Sequence, residues 1–111
     1  MKMKELRFKR KYFEMVASEK KKLEARVNYP SLRNIKVGDK VLFFWEDRSV
    51  KVLIRDIRLY RNFNDMLDNE NPELLVPGMK KEEALKEYQS VYPKWKLNKF
   101  KGVRVFEFEI I

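Results

Sequence analysis

Within Glu19-Lys20-Lys21-Lys22-Leu23-Glu24-Ala25-Arg26, three lysines, one arginine and two glutamates fall in eight residues of a chain without histidine or cysteine. The absence of histidine removes the usual general base, the usual zinc ligand and every Ser-His or Cys-His nucleophile. The absence of cysteine removes thiolate metal sites and disulfides. Any catalysis must run on Lys, Glu, Asp, Tyr, Ser or Arg, with no metal and no cofactor called for. Lys21 and Glu24 are the one arrangement that resembles acid–base machinery: a lysine crowded by cations has its pKa lowered, and a nearby carboxylate can take a proton. A binding role asks less of the same residues, because cations meet phosphates while aromatic rings stack on unpaired bases. The candidate contacts are Lys20, Lys21, Lys22, Glu24 and Arg26, joined by Lys9, Arg10 and Lys11. Tyr29, Trp45 and Trp95 are the available rings, and Tyr29 is preferred because it follows the basic segment directly. A charged, solvated strand edge fits the same pattern, and periodicity does not separate these readings.

The elements that position these residues follow from the spacing of apolar side chains. From Leu23 the alternation is two-residue, with Leu23, Ala25 and Val27 on one face and Lys22, Glu24 and Arg26 on the other. Glu24 and Arg26 then stand about 7 Å apart along a strand, near enough to grip one ligand between them. Lys20 and Lys21 fall in the preceding turn, where side chains can enter a cleft. Upstream, Met1 to Phe8 reads as a first strand, and Phe8, Tyr12, Phe13 and Val16 have the spacing of a helix that fades at Ala17-Ser18. Downstream, Asn28 to Lys36 is a loop, and Gly38-Asp39 forms a tight turn. Lys40 to Trp45 is a strand expected to be buried on both sides. Glu46 to Ser49 turns the chain into a strand from Val50 to Arg61.

That strand changes phase. Val50, Val52 and Ile54 alternate, but Ile57 and Leu59 are offset by one, which predicts a β-bulge near Arg55-Asp56. Asn62 caps a helix that turns Phe63, Met66 and Leu67 inward. An acidic connection from Asp68 to Glu73 follows, then a turn at Pro77-Gly78. A second helix carries Ala84, Leu85, Tyr88 and Val91 inward and ends at Pro93. Lys94 to Lys101 reads as a basic loop, and Gly102 opens the last strand. The expected order is β-α-β-β-β-α-α-β, an α+β domain built on a curved mixed sheet or partly open barrel.

With 111 residues the chain is expected to form one domain, residues 1–111, and to bury roughly two thirds of the surface that its unfolded form exposes. No apolar run is long enough to span a membrane and the N-terminus lacks a signal peptide's apolar core, so a cytoplasmic protein is expected. The formal net charge of +9 favours a polyanionic partner. Residues 1–26 hold ten Lys/Arg and four Asp/Glu, net +6, so two thirds of the excess lies in the first quarter of the chain. Richness in Lys and Glu also suits a thermophile's surface.

The order of these motifs resembles the ASCH domain of the PUA-like superfamily. That family shows a G-K-K-T-x-E-x-R stretch, matched here by Glu19 to Arg26, followed by a V-G-D turn, matched by Val37-Gly38-Asp39. Tyr60-Arg61-Asn62-Phe63, Pro77-Gly78, Tyr92-Pro93 and the closing strand also fit its layout. The resemblance implies a barrel-like sheet flanked by helices, and a cleft at Lys20, Lys21, Glu24 and Arg26 that binds RNA or a nucleotide-derived ligand. Two positions depart from it: Glu19 replaces glycine, which bears on the turn, and Lys22 replaces threonine, which makes the cleft mouth more basic. One branch is similar to amidohydrolases that deacylate N-acetylated cytidine. There the lysine matching Lys21 works with a threonine hydroxyl and a glutamate. Here those two places fall at Glu24 and near Pro77, so that activity does not carry over. Other relatives resemble ribonucleases, in which Glu24 would deprotonate a 2′-hydroxyl while Lys21 and Arg26 stabilise the phosphorane. RNA or nucleotide binding is the first reading, hydrolysis the second, and a protein-interaction module with a basic face the third.

Overall fold

The computed structural model describes residues 3–111; the start of the expected first strand, Met1-Lys2, lies outside them. Five strands form one sheet in the order β1-β3-β4-β5-β2. These are β1 Lys4–Arg7, β2 Leu23–Val27, β3 Lys40–Trp45, β4 Arg48–Tyr60 and β5 Val103–Ile110. β1 runs parallel to β3, and every other pairing is antiparallel. The sheet curls into a half-barrel, with β1 and β2 as its two edges. Side chains on successive residues of β5 feed two cores. Phe106 and Phe108 join Val41, Phe43, Val52 and Ile54 on one face. Val103 and Val105 join Leu23, Ala25 and Val27 on the other.

The helices are α1 Arg10–Ala17, α2 Phe63–Asn69, α3 Pro72–Leu75, α4 Lys81–Val91 and α5 Lys94–Lys99. The expected order lacked two of them. α3 occupies the acidic connection, where Asn71 caps the amide of Glu73 and Pro72 fills the first helical position. α5 occupies the basic loop, with Pro93 at its N-cap position. α1 begins at Arg10 rather than at Phe8, because the Phe8 amide still bonds the Phe44 carbonyl at 2.8 Å and so belongs to the sheet.

β4 shifts register between Ile54 and Asp56, at the expected bulge. Beyond it Leu59 is exposed rather than inward, as is Val91 at the end of α4. β3 also differs from expectation, since only Val41 and Phe43 are buried while Leu42, Phe44 and Trp45 are half-buried. One face of that strand is packed and the other partly covered. Asn62 caps α2 through the Asp65 amide, and Phe63, Met66 and Leu67 are buried as their spacing requires. Beyond α2, Glu70 accepts two hydrogen bonds from Arg58 at 2.5 and 2.9 Å and one from the Tyr60 hydroxyl at 2.5 Å. That clip ties the connection to β4 and sets α3 against the start of β2, where the Leu74 carbonyl accepts from the Lys22 amide.

Two turns carry left-handed residues with consequences. Gly102 has φ +101, and a Cβ there would stand 2.1 Å from the Tyr60 carbonyl oxygen, so only glycine fits between β4 and β5. After α1, Glu19 takes φ 63. Its amide bonds the Val16 carbonyl and that of Lys20 bonds the Met15 carbonyl, the paired closure that usually uses glycine at this position. The departure from glycine therefore leaves the turn intact.

Candidate functional site

The two edges of the curled sheet meet without a ladder. What joins them is Arg26 on β2, whose Nη2 donates to the Arg7 carbonyl at the end of β1 at 2.6 Å while the guanidinium lies 4.9 Å over the Phe8 ring. Beside this seam is a cavity of about 200 Å³, lined by Arg7, Phe8, Lys9 and Tyr12 on one side and by Tyr88 and Val91 of α4 and the following Tyr92 on the other. Lys21, Glu24 and Arg26 form its charged floor.

Lys21 is 2 % exposed, and its ammonium meets three acceptors: the Leu23 carbonyl at 2.6 Å, the Leu75 carbonyl at 2.6 Å and Glu24 Oε1 at 3.0 Å. Burial lowers its pKa, and Glu24 pulls in the opposite direction. Three acceptors require three N–H donors, and a neutral amine has two, so the fold holds the ammonium form. Glu24 Oε2 accepts from Arg26 Nε at 2.8 Å. Burial opposes charge on Glu24, but Lys21 and Arg26 outweigh it and hold the carboxyl below the usual carboxylate range. Arg26 uses two of its five N–H donors on Glu24 and Arg7, leaving three without a protein acceptor among the described residues.

Between the charged Arg7, Lys9 and Glu87, the walls are aromatic. Tyr88 and Tyr92 both stack on Phe63, with centroids 4.6 and 5.6 Å away, which fixes the two rings. Tyr12 donates to Glu87 Oε2 at 2.7 Å and closes α1 onto α4. Burial, then the nearby carboxylate of Glu24, pushes Tyr92 up to about 12. The same two causes, in the same order, raise Tyr88, and burial followed by Glu87 raises Tyr12. All three phenols therefore keep their protons near neutrality. Glu87 is held low by the Tyr12 hydrogen bond, with help from Lys11.

Of the residues singled out in the sequence, Lys9, Lys21, Glu24 and Arg26 line the cavity. Glu24 and Arg26 do not grip a ligand between them, because they are bonded to each other. Lys20 is exposed, and Lys22 lines a second concavity with Glu19 and Phe108, so neither deepens the cleft mouth. Lys21 is shifted by burial rather than by neighbouring lysines, which point elsewhere. Lys11 pairs with Glu87 at 3.5 Å on the rim, while Arg10 lies over the Trp45 ring 5.3 Å away. Tyr29 packs edge-on against Phe100 and does not line the cavity. Tyr12, Tyr88, Tyr92 and Glu87 went unselected, although Tyr88 and Tyr92 at i, i+4 were a readable aromatic pair on one helix face.

A curled five-stranded α+β sheet flanked by helices is the PUA-like architecture. The family model for the ASCH domain matches residues 6–111, and the chain belongs to that family. Over 99 % of its length it is similar, at 35 % identity and a TM-score of 0.88, to the crystal structure of hypothetical protein PH0355, all of which is covered. It is also similar to the solution NMR structure of protein PF0455 from Pyrococcus furiosus, at 32 % identity and a TM-score of 0.79, covering 99 % of this chain and 98 % of that one. No curated protein matches the chain. Among the described residues, no helix is long and apolar enough to cross a membrane, and no group of three or more Asp or Glu side chains could hold a metal ion.

Proposed function

We propose that the seam cavity binds one base-bearing unit of an RNA strand or of a nucleotide-derived ligand. The family is generally proposed to bind RNA. The observation that carries the reading is the pairing of an aromatic wall with a charged floor that keeps unused hydrogen-bonding capacity. At about 30 Å³ per water, 200 Å³ is the share of roughly seven waters, the size of a single heteroaromatic ring system rather than of a whole nucleotide. A flat base slides between Tyr12 and the Tyr88–Tyr92 pair. The spare Arg26 donors and the remaining lone pairs of Glu24 read its edge. Lys9 and Arg7 at the mouth meet phosphate.

Binding fits the floor better than cleavage does. A carboxylate held low by two cations is a weak base, and every proton of the Lys21 ammonium already has an acceptor. In this reading Lys21 shapes the floor, and Glu24 and Arg26 touch the ligand.

Equilibrium titration with nucleoside monophosphates and a mixed-sequence oligoribonucleotide tests the proposal. Binding is expected to weaken with salt at a log–log slope of about −0.7 per phosphate contacted. Arg26→Ala is expected to lose about 1–3 kcal/mol of affinity, because it removes charge-assisted donors from the floor. A ligand set that never saturates the protein, or affinity indifferent to both salt and Arg26→Ala, would refute the reading.

A further inference from the structure

Part of the N-terminal charge is paired in the folded chain: Lys4 with Asp39, Lys11 with Glu87, and Lys21 and Arg26 with Glu24. A different region is left unbalanced. Residues 93–104 contain Lys94, Lys96, Lys99, Lys101 and Arg104 and no Asp or Glu. Among the described residues none of these five forms an ion pair with a carboxylate, and neither does Arg33. Arg33 and Arg104 instead converge on Asn28, on its backbone carbonyl at 3.2 Å and its side-chain oxygen at 2.9 Å respectively. Two guanidiniums sharing one neutral residue, with no carboxylate between them, leave their charge to an outside anion.

An exposed indole sits in the middle of this charge. Trp95 on α5 is 57 % exposed. The Lys96 ammonium lies 5.7 Å from its ring and 5.8 Å from that of Tyr29, so it bridges the two aromatics. The patch also adjoins the cavity. Tyr92 lines the cavity wall, and Trp95 follows three residues later, so their Cα atoms lie at most about 11 Å apart.

We infer that α5 and the start of β5 form an outer contact surface for single-stranded RNA, with Trp95 stacking on a nucleotide adjacent to the one in the seam cavity. The inference rests on the cavity being a nucleobase site, and it narrows the partner from a free nucleotide to a strand. Lysines flanking a bare ring are what a single strand requires: ammonium groups follow the phosphates while the ring takes an unpaired base of any sequence. A duplex keeps its bases stacked inside and offers nothing for Trp95 to cover. An acidic protein segment would satisfy the lysines but not the indole.

The test uses Trp95 as its own reporter. The chain has two tryptophans, so Trp45→Phe leaves Trp95 as the sole indole. Its fluorescence is titrated with a nucleoside monophosphate, mixed-sequence ribo-oligomers of two to eight nucleotides, an RNA hairpin stem and polyglutamate. Quenching is expected with oligomers and not with the mononucleotide or the stem. In a second arm Trp95→Ala, whose side chain supports no core, is expected to weaken octanucleotide binding by about 5- to 150-fold and leave mononucleotide affinity unchanged. Equal octanucleotide affinity in Trp95→Ala overturns the inference while the cavity reading stands. So does quenching by polyglutamate as strong as by RNA, which marks the patch as a protein-binding face. Quenching by oligomers with no mononucleotide binding at all would overturn the cavity reading and keep the outer surface.

Discussion

Replacing Lys21 with methionine is expected to damage the fold far more than replacing either neighbouring lysine. Methionine keeps the length and most of the volume of the side chain and removes only the ammonium. Three acceptors then lose their donor at once: the carbonyls of Leu23 and Leu75 and one oxygen of Glu24. Removing one member of a buried ion pair typically costs about 3–5 kcal/mol, because the other charge stays buried. A stranded buried carbonyl adds about 1–3 kcal/mol, although the terms do not sum in one cluster. A loss of about 4 kcal/mol is therefore the working figure, a large share of the 5–15 kcal/mol typical of a folded domain. With a urea slope of about 1.5 kcal/mol/M the midpoint should fall by roughly 2–3 M. Lys20→Met and Lys22→Met are expected to stay within about 0.5 kcal/mol of the parent, because both side chains are exposed. Adding Glu24→Leu to Lys21→Met should recover at least about 1 kcal/mol relative to simple addition, since the uncompensated carboxylate is gone. Urea melts of the five variants, the Glu24→Leu single included, decide the matter. If Lys21→Met matched Lys20→Met, the ammonium would be solvated and the argument from its three acceptors would be wrong.

Gly102→Ala is expected to cost at least about 3 kcal/mol in the same melts, combining left-handed strain with a clash on the Tyr60 carbonyl. Gly38→Ala, at φ +91 with nothing within 4 Å, should cost only about 1 kcal/mol, and equal losses would refute the clash. Glu19→Gly should stabilise the chain by about 0.5–1 kcal/mol, the left-handed penalty relieved less the entropy of glycine; destabilisation would contradict the turn geometry. Tyr12→Phe should lose about 1 kcal/mol at pH 7 by freeing Glu87. Because Tyr12 depresses Glu87 below its ordinary 4.5, that contribution is complete above the ordinary value and disappears as pH falls through the depressed one. A difference between Tyr12→Phe and the parent that persisted unchanged at pH 2–3 would refute the assignment.

The strands were legible because their signals are local. The phase change after Ile54 located the bulge, and the alternation from Leu23 located β2. Helices α3 and α5 were missed because they are 4 and 6 residues long, too short for a 3.6-residue period to show. Their punctuation, Asn71-Pro72 and Pro93, was the better guide. The Lys21–Glu24–Arg26 segment was found by charge density. Its internal pairing was not, because Leu75, which holds Lys21 in place, is 54 residues away. Tyr88 and Tyr92 face the seam for the same long-range reason. Spacing shows that they share a helix face, and only the docking of α4 against α1 decides what that face meets.

The seam also bears on how this chain behaves in a crowd of its own copies. A curled sheet that stops short of closure presents two bare strand edges, each a template on which a neighbour's strand could add. Here the acceptors nearest the gap are already occupied by cationic side chains, Arg26 on the Arg7 carbonyl and Lys21 on that of Leu23. An intruding strand would have to break those bonds and bring its own backbone against an ammonium and a guanidinium. The residues at the heart of the cavity thus double as a guard against fibrillar growth. Removing the Arg26 contact for the sake of altered ligand preference should raise the tendency to aggregate even where the melting temperature hardly moves.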